Sequence, residues 1–490
     1  MYLKYNEIAA LLNLAPARED IDLLSAVTDS REVAPGALFV CIPGSRVDGH
    51  DFVSSAEQSG ASAVLSSRAL PDARVPVLHV ADTVRALGQI AAFWRGKTSA
   101  KVVGITGTAG KTTVKELLAR ILAAGGKTAY SALNYNNRIG MPRAVLNTDG
   151  DEAFWVMEAG ISRAGDMEEL ARILHPNMGI ILNAGAGHVE GLGEKGVAWH
   201  KTRLLSYLAS DGGIANGAPN CGLVSADYPD LEREAKHSDS PLHFFSAAGR
   251  SVKYRGIYEG RVRGTGRGKY RLLLNGETCT VVAPFYGEYG AENVIAAAAA
   301  AHLLGLSVDE IAEGIARAAT PAGRFNVTRL GVWEVIDDTY NANPLSMRRM
   351  LDAGFESADG KAFVPVLGEM LELGAQAAEE HEKLGRRLAT LRPAAVIWKG
   401  GHAEAVRAGL RKGGYAGPCL TVTGSDDFFV VWSDLLRLHA LSDSRGGVVL
   451  FKGSRANRLE ELCTAFCGLI EDKIRQKTHN TTVGDCTHVL

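Results

Sequence analysis

The chain has 490 residues, of which 46% are hydrophobic and 22% are charged, and its formal net charge is −2. This length predicts about three domains, the composition is typical of a globular protein, and the small net charge argues against a nucleic-acid partner. The seven cysteines are scattered, which is typical of reduced intracellular thiols. The first segment lacks the apolar core of a signal peptide, and no apolar run reaches the roughly 20 residues that a membrane span needs. The sequence therefore predicts a cytoplasmic protein with no membrane span.

The first predicted unit spans residues 1–98 and mixes short helix and strand patterns. Two polar stretches stand out in it, Asp29-Ser30-Arg31 and Asp48-Gly49-His50. Small residues let a ligand approach the backbone and arginine can hold a phosphate, so these stretches would suit a phosphorylated or sugar ligand. From composition alone, however, ordinary turn formation explains them better.

The segment Lys101–Leu118 carries the strongest signal in the chain. A buried-strand pattern leads into a glycine-rich turn, and apolar residues then recur at helical spacing. This is the setting of a phosphate-binding loop, because N–H groups and the helix dipole at a helix start favour an anion. Lys111 would reach the terminal phosphates and Thr112 would bind Mg²⁺. The predicted phosphate-binding residues are Gly107, Thr108, Ala109, Gly110, Lys111, Thr112 and Thr113.

Strand and helix patterns alternate through the second unit, residues 99–320, which predicts a parallel sheet covered by helices on both faces. Glu158 ends one strand, where an acidic residue beside a phosphate loop would bind a metal or position water. His188 follows another strand in a glycine-rich loop and is a candidate metal ligand, although Mg²⁺ prefers oxygen. Lys201 falls on a helix, where a solvated surface charge is the simplest interpretation. Asn275-Gly276 predicts a hairpin in a β-rich stretch.

The third unit, residues 321–476, again alternates strands and helices and predicts a second open α/β sheet. Asp337 and Asp338 end one of its strands, and such a pair is costly unless it holds hydrogen-bond donors or a cation. A loop rich in tyrosine and asparagine follows and caps a helix. The polar tail, residues 477–490, is expected to be disordered.

Five motifs in this order resemble the Mur ligase family over almost the whole chain. They are TGTAGKTT (Thr106–Thr113), NNRIGMP (Asn136–Pro142), IDDTYNANP (Ile336–Pro344), LGEMLELG (Leu367–Gly374) and KGSR (Lys452–Arg455). The first is the form shared by the family. The other four are most similar to the branch that joins D-alanyl-D-alanine to UDP-N-acetylmuramoyl-tripeptide.

The resemblance implies an α/β fold of three domains: a small N-terminal α/β domain, a central P-loop-type ATPase domain with a parallel sheet, and a C-terminal Rossmann-like domain. It also implies an ADP-forming amide ligase of peptidoglycan precursor synthesis that uses ATP and Mg²⁺. In such enzymes ATP phosphorylates a substrate carboxylate, and the amine of the incoming peptide displaces phosphate from the acyl phosphate. We expect a monomer with UDP-N-acetylmuramoyl-tripeptide and D-Ala-D-Ala as its substrates.

The resemblance also assigns roles to individual residues. Lys201 falls where the family has a lysine that is often carbamylated, and that modification would give the metal site an anion. The implied catalytic residues are Lys111, His188 and Lys201, and the implied metal ligands are Thr112, Glu158, His188 and carbamylated Lys201. The implied nucleotide contacts beyond the loop are Asn293, Arg324, Asp337 and Asp338. The implied substrate contacts are Ser30, Arg31, Asp48, Gly49, His50, Asn136, Asn137, Asn341 and Asn343.

The run Gly287–Asn293 departs from the family pattern. The family has histidine and asparagine where this chain has Tyr289 and Gly290, which leaves Asn293 as the remaining adenine-side candidate, with Tyr289 able to stack on a base. Three alternatives therefore stay open: a Mur-type ligase that adds a single amino acid or a glutamyl unit to folate, a phosphate-loop ATPase that acts as a binding module, and a degenerate paralogue.

Overall fold

The structure of the protein is a computed structural model that describes residues 1–44, 47–132, 134–185, 192–210, 213–214, 217–438, 440–442 and 444–484. Three main sheets, each combined with helices, succeed one another along the chain. This architecture confirms the predicted fold class, a mixed α/β protein with largely parallel sheets.

The N-terminal domain is built on a four-stranded parallel sheet in the order β3-β4-β5-β6, beside a two-stranded antiparallel ribbon of β1 and β2. Its strands are β1 (Leu3–Lys4), β2 (Asp22–Leu23), β3 (Ser25–Val27), β4 (Ala37–Val40), β5 (Ala61–Ser66) and β6 (Val77–His79). Its helices are α1 (Tyr5–Leu11), α2 (Val53–Gln58) and α3 (Thr83–Gly96).

The central domain has a nine-stranded sheet in the order β15-β14-β13-β12-β11-β10-β7-β9-β8. Its strands are β7 (Lys101–Thr106), β8 (Thr128–Tyr130), β9 (Phe154–Glu158), β10 (Met178–Ile181), β11 (Cys221–Ser225), β12 (Leu242–Ser246), β13 (Tyr254–Val262), β14 (Arg267–Leu274) and β15 (Glu277–Ala283). Its helices are α4 (Lys111–Leu122), α5 (Gly140–Leu146), α6 (Asp166–Leu174), α7 (Gly196–Thr202), α8 (Pro229–Ala235), α9 (Glu288–Leu303) and α10 (Val308–Ala316).

Strand β7 lies inside this sheet with parallel neighbours on both sides, β9 and β10. The carboxyl ends of the three strands therefore meet at one edge, where open α/β sheets bind ligands. The other end of the sheet is antiparallel, and β14 turns into β15 at Asn275 and Gly276, both with positive φ (51° and 106°). This turn confirms the predicted hairpin.

The C-terminal domain has a six-stranded sheet in the order β16-β17-β21-β18-β19-β20, parallel except for β16. Its strands are β16 (Asn326–Leu330), β17 (Trp333–Asp337), β18 (Ala362–Gly368), β19 (Val396–Lys399), β20 (Cys419–Val422) and β21 (Gly447–Lys452). Its helices are α11 (Pro344–Ala358), α12 (Ala377–Leu391), α13 (Ala403–Lys412), α14 (Ser425–Arg437) and α15 (Leu459–Gly484).

The domains share hydrophobic cores across their boundaries. Leu87 and Trp94 of α3 pack in one cluster with Trp155 and Leu170 of the central domain. A second cluster joins the alanine-rich helix α9, which is buried along its length, to residues of α11 in the C-terminal domain. Because alanine side chains are short, α9 can lie close to both α4 and the sheet.

The C-terminal tail and the lengths of the helices bear on two expectations from the sequence. Helix α15 continues to Gly484, so the backbone of residues 477–484 is helical, while residues 485–490 of the tail lie outside the described residues. The helix starts as a packed element, with Leu459 and Phe466 in the core, and polar residues can extend a helix that packing has already nucleated. Within the described residues, no helix has the length and apolarity needed to cross a membrane.

Candidate functional site

The loop between β7 and α4 is shaped by a glycine that no other residue could replace without displacement. Gly110 has φ of +85°, and a Cβ built on it would lie 2.4 Å from Asn293 Oδ1. The loop therefore needs glycine both for its left-handed backbone and for the close approach of α9. Asn293 Oδ1 is buried and has no hydrogen-bond partner among the residues that the structure describes.

The loop backbone is held by Asn183, which follows β10. Asn183 Oδ1 accepts a hydrogen bond from Ala109 N at 2.8 Å, and Asn183 Nδ2 donates to Ala109 O at 3.0 Å. Thr108 is fixed nearby, since Gly185 N donates to Thr108 Oγ1 at 3.0 Å. The end of one strand thus pre-forms the loop that follows its neighbour.

Lys111 begins α4 and lines the cavity beside the loop. Its Nζ donates to Gly107 O at 2.8 Å. Burial lowers the pKa of the Lys111 amine, and the nearby Glu158 carboxylate opposes that effect. The amine is therefore held over the glycine-rich turn, where an anionic ligand would favour its charged form.

Glu158 lies at the carboxyl end of β9 and is only 2% exposed. Thr112 Oγ1 donates to Glu158 Oε2 at 2.9 Å, and Asn136 Nδ2 donates to Glu158 Oε1 at 2.8 Å. The structure thus brings together three residues that the sequence placed in separate motifs. Together they present carboxylate, hydroxyl and amide oxygens, the donor type that Mg²⁺ prefers.

Lys201, on α7, is 2% exposed and lines the same cavity. The simplest interpretation from composition, a solvated surface charge, is therefore wrong. Burial lowers the pKa of the Lys201 amine well below 10.5, and the positive charge of Lys111 lowers it further, whereas Glu158 raises it. An amine of this kind is more readily neutral, and so more nucleophilic, than a surface lysine.

The cavity has a volume of about 270 Å³ and lies between the central and C-terminal domains. Arg324 crosses that boundary and donates to Thr112 Oγ1 at 3.3 Å, while its guanidinium lies 4.1 Å from the centre of the Tyr340 ring. Asn343 caps α11 with its Oδ1 and donates from Nδ2 to Thr108 O at 3.1 Å. Residues of both domains are therefore needed to complete the site.

The paired aspartates at the end of β17 have different surroundings. Asp338 lines the cavity, accepts from Lys452 Nζ at 2.5 Å and accepts from Phe325 N at 3.0 Å. Asp337 is not among the lining residues; it accepts two hydrogen bonds from Thr339, and burial raises its pKa. Asp337 ends β17 and Asp338 follows it, so only Asp338 is placed at the cavity, and the expected nucleotide contact of Asp337 stays a prediction.

The remaining asparagines predicted at the site also line the cavity, but they have structural partners as well. Asn137 Oδ1 accepts from Gly140 N at 2.8 Å at the start of α5. Asn341 O accepts from Lys452 Nζ at 2.8 Å. Their side chains can thus contribute to a ligand site while their positions are fixed by helix capping and by a buried lysine.

A second cavity, of about 630 Å³, lies at the N-terminal domain and is bordered by Ser30, Arg31 and Gly49, together with Arg143 of the central domain. Asp48 and His50 do not line it. His50 Nδ1 lies 2.6 Å from Asp48 Oδ1, and Ser67 N donates to His50 Nε2 at 3.2 Å. Both ring nitrogens of His50 therefore have partners within the domain, and substrate contacts of Asp48 and His50 stay a prediction.

Gly290 and Tyr289 explain the departure of the run Gly287–Asn293. A Cβ at Gly290 would lie 2.1 Å from Tyr270 Oη, so asparagine has no room there. The Tyr289 ring lines the cavity between Phe285 and Phe325, with centroids 6.3 and 5.6 Å away. Its hydroxyl is buried, and the described part of the chain provides no hydrogen-bond partner for it.

Asn183, Glu292, Arg349 and Glu372 also contribute to this site, although the sequence did not predict them. Glu372 had the clearest signal available, since it lies within the LGEMLELG motif; it has φ of +63° and lines the cavity. The others gave no sequence signal, because their roles depend on contacts between distant elements. His188 lies outside the described residues.

Comparisons with known proteins agree with this geometry. Residues 26–95 match the Mur ligase family catalytic domain, residues 105–301 the Mur ligase middle domain and residues 323–455 the Mur ligase glutamate ligase domain. The UDP-N-acetylmuramoyl-tripeptide–D-alanyl-D-alanine ligase of Escherichia coli is 31% identical over 466 residues, which cover 94% of this chain and 97% of that protein.

Solved structures show the same architecture. The crystal structure of MurF from Acinetobacter baumannii superposes with a TM-score of 0.84 at 27% identity, covering 96% of this chain and 99% of that one. MurF ligase from Thermotoga maritima, solved in complex with ADP, gives a TM-score of 0.77 at 29% identity, covering 92% of this chain and 98% of that one.

Proposed function

The chain belongs to the Mur ligase family, and we propose that it is the ligase that joins D-alanyl-D-alanine to UDP-N-acetylmuramoyl-tripeptide in peptidoglycan precursor synthesis. It is an ATP-dependent, ADP-forming enzyme that makes an amide bond. The observation that carries this proposal is one cavity in which the phosphate-loop lysine, Lys111, meets Lys201 and residues of a second domain.

ATP binds at the loop between β7 and α4 in this proposal. The N–H groups at the start of α4 and the Lys111 amine hold the phosphates. Arg324 reaches the same place from the C-terminal domain, since it already contacts Thr112. The base would lie toward Tyr289 and Asn293, whose buried polar atoms lack partners among the described residues.

Mg²⁺ fits the residues present. Glu158 is a buried carboxylate 2.9 Å from the Thr112 hydroxyl, and hard oxygen donors next to a phosphate loop suit this ion. Thr112 and Glu158 would hold it, with carbamylated Lys201 and His188 as further ligands. When bound, the ion neutralises charge where a phosphate and a carboxylate must meet.

The proposed reaction has two steps. The carboxylate of the tripeptide attacks the γ-phosphorus of ATP, which gives an acyl phosphate and ADP. The amine of D-Ala-D-Ala then attacks the acyl carbon, the bond from that carbon to the phosphate oxygen breaks and releases inorganic phosphate, and the nitrogen gives its proton to water as the amide forms. Lys111 and Arg324 stabilise the negative charge that shifts between these groups.

The UDP-sugar part of the substrate would occupy the N-terminal cavity, where Arg31 and Arg143 can face phosphates. Asn341 and Asn343, at the start of α11, would lie near the incoming dipeptide. We further propose that the protein is a cytoplasmic monomer.

The test is product analysis by mass spectrometry. The protein is offered ATP, Mg²⁺, UDP-N-acetylmuramoyl-tripeptides containing lysine or diaminopimelate, and either D-Ala-D-Ala or single amino acids. We expect an amide product with the dipeptide alone. A product with a single amino acid would indicate another Mur-type ligase, and phosphate release without any amide product would indicate a binding module.

A further inference from the structure

Arg349 and Glu292 form a buried ion pair across the boundary between two domains. Arg349 lies on α11 of the C-terminal domain, Glu292 lies near the start of α9 of the central domain, and Arg349 Nη2 is 2.5 Å from Glu292 Oε2. The side chains are 16% and 4% exposed. Such pairs are rare in interiors, because both charges lose their hydration.

Glu292 connects Arg349 to the phosphate loop through Asn183. Its Oε2 accepts from Asn183 Nδ2 at 3.2 Å, and the same amide group bonds both the N–H and the carbonyl of Ala109. A continuous series of polar contacts therefore runs from α11 through Glu292 and Asn183 to the loop backbone.

The two residues of the ion pair differ in how far each depends on the other. Burial raises the pKa of the Glu292 carboxyl, and Arg349 is the largest opposing influence. Arg349 has another partner, since it donates to Tyr228 Oη at 2.7 Å. Without Arg349, Glu292 would be a buried carboxylate with no compensating cation among these groups, and its contact with Asn183 would change.

Helix α11 reaches the loop by a second route. Asn343, its capping residue, donates to Thr108 O at 3.1 Å. One helix of the C-terminal domain therefore contacts two consecutive loop residues, Thr108 directly and Ala109 through Glu292 and Asn183.

We propose that Arg349 and Glu292 are positioning residues that set the conformation of the phosphate loop when the C-terminal domain docks, so that domain docking and nucleotide affinity are coupled. Because coupling is reciprocal, a bound nucleotide also favours the docked domain. The inference rests on the proposed function only in taking a nucleotide as the ligand of the loop.

The experiment measures the Kd of ADP by calorimetry for the full chain and four variants: Arg349→Ala, Asn183→Ala, the double variant and Arg348→Ala. Arg348 is the matched control, because it is the exposed neighbour on the same helix. We expect each of the first two substitutions to weaken ADP binding by about tenfold, and Arg348→Ala to leave it unchanged.

The double variant separates positioning from simple domain attachment. If Arg349 acts through Asn183, the double variant loses about tenfold, like either single variant, whereas independent effects would multiply to about a hundredfold. Arg349→Lys should recover part of the affinity, because it restores the charge without the guanidinium geometry.

Two results would overturn the inference: ADP binding by Arg349→Ala equal to wild type, or multiplicative losses in the double variant. If Arg349→Ala does not fold, the double variant Arg349→Met and Glu292→Gln is used instead of Arg349→Ala in the same comparison. This variant removes both charges of the ion pair, so no unpaired charge is left buried. Wild-type protein that binds ADP but forms no amide would refute the proposed ligase reaction and leave this inference standing.

Discussion

Thr112 and Glu158 lie on different elements of the central domain, a helix and a strand, and the hydroxyl of the first donates to the carboxylate of the second at 2.9 Å. Thr112 is the second residue of α4, the helix after β7, and Glu158 ends the neighbouring parallel strand β9. The pairing of β7 with β9 therefore builds the proposed metal site before any ligand arrives.

Glu158→Gln should raise the Mg²⁺ concentration needed for half-maximal activity. The substitution keeps the size of the side chain but removes its charge, and hard cations prefer carboxylates. We expect kcat to fall by about 10²-fold or more. Activity titrated against Mg²⁺ checks this, with Glu313→Gln on the exposed face of α10 as the control; an unchanged Mg²⁺ requirement would contradict the assignment.

Lys111→Ala should strongly reduce amide formation and leave the fold intact. Its amine is the cation at the phosphate loop, and loss of one such group costs about 10²–10³-fold in kcat. Phosphate release and amide product are measured together with circular dichroism. Exposed Lys127→Ala should behave as wild type, and near-normal turnover of the Lys111 variant would refute the proposed role.

Lys452→Met should destabilise the C-terminal domain. Lys452 is 1% exposed and bonds Asp338 at 2.5 Å, and removal of one partner of a buried pair costs about 3–5 kcal/mol in unfolding free energy. Lys412→Met, which breaks an exposed pair with Glu382, should cost less than about 1 kcal/mol. Urea unfolding measures the unfolding free energy of both variants, and equal losses would contradict the importance of the buried pair.

The same lysine should affect how stability depends on pH. Burial lowers the pKa of Lys452 from 10.5, so between the lowered pKa and 10.5 the unfolded chain binds more protons than the folded one. The contribution of Lys452 to the unfolding free energy therefore rises with pH in that window. Urea unfolding at increasing alkaline pH below 10.5 should show a steeper rise in the unfolding free energy for wild type than for Lys452→Met; parallel curves would contradict this prediction.

Tyr289→Phe should separate nucleotide binding from folding. The Tyr289 hydroxyl is buried and has no partner among the described residues, so its loss should leave the unfolding free energy unchanged or raise it by about 1 kcal/mol. If the hydroxyl binds the base, the Kd of ADP rises by about fivefold. Tyr130→Phe, at an exposed ring, is the control, and unchanged ADP affinity would place the base elsewhere.

Much of this site could be predicted from the sequence because its residues lie in short motifs at strand ends. Parallel strands bring their carboxyl ends to one edge, so Lys111, Thr112 and Glu158 could be expected to meet before the structure was known. The hairpin at Asn275-Gly276 was predictable for a local reason, the positive φ of both residues.

Other features depend on contacts that no local pattern encodes. The sequence shows Asp337 and Asp338 as a pair, but only Asp338 lines the cavity. The stretch around His50 has the residue types of a ligand site, whereas the His50 ring is held by Asp48 and Ser67. Lys201 looks like a surface lysine in the sequence, whereas its side chain is buried and lines the cavity.

Gly110 has a consequence for inhibitors of this enzyme. Any side chain there would need a left-handed backbone and would displace Asn293, which lies 2.4 Å from the position of a Cβ. A compound whose contacts are confined to the backbone around Gly110 would therefore meet a position where escape mutations also damage the loop. Resistance to such a compound would have to arise elsewhere, for example at the aromatic wall formed by Tyr289 and Phe325.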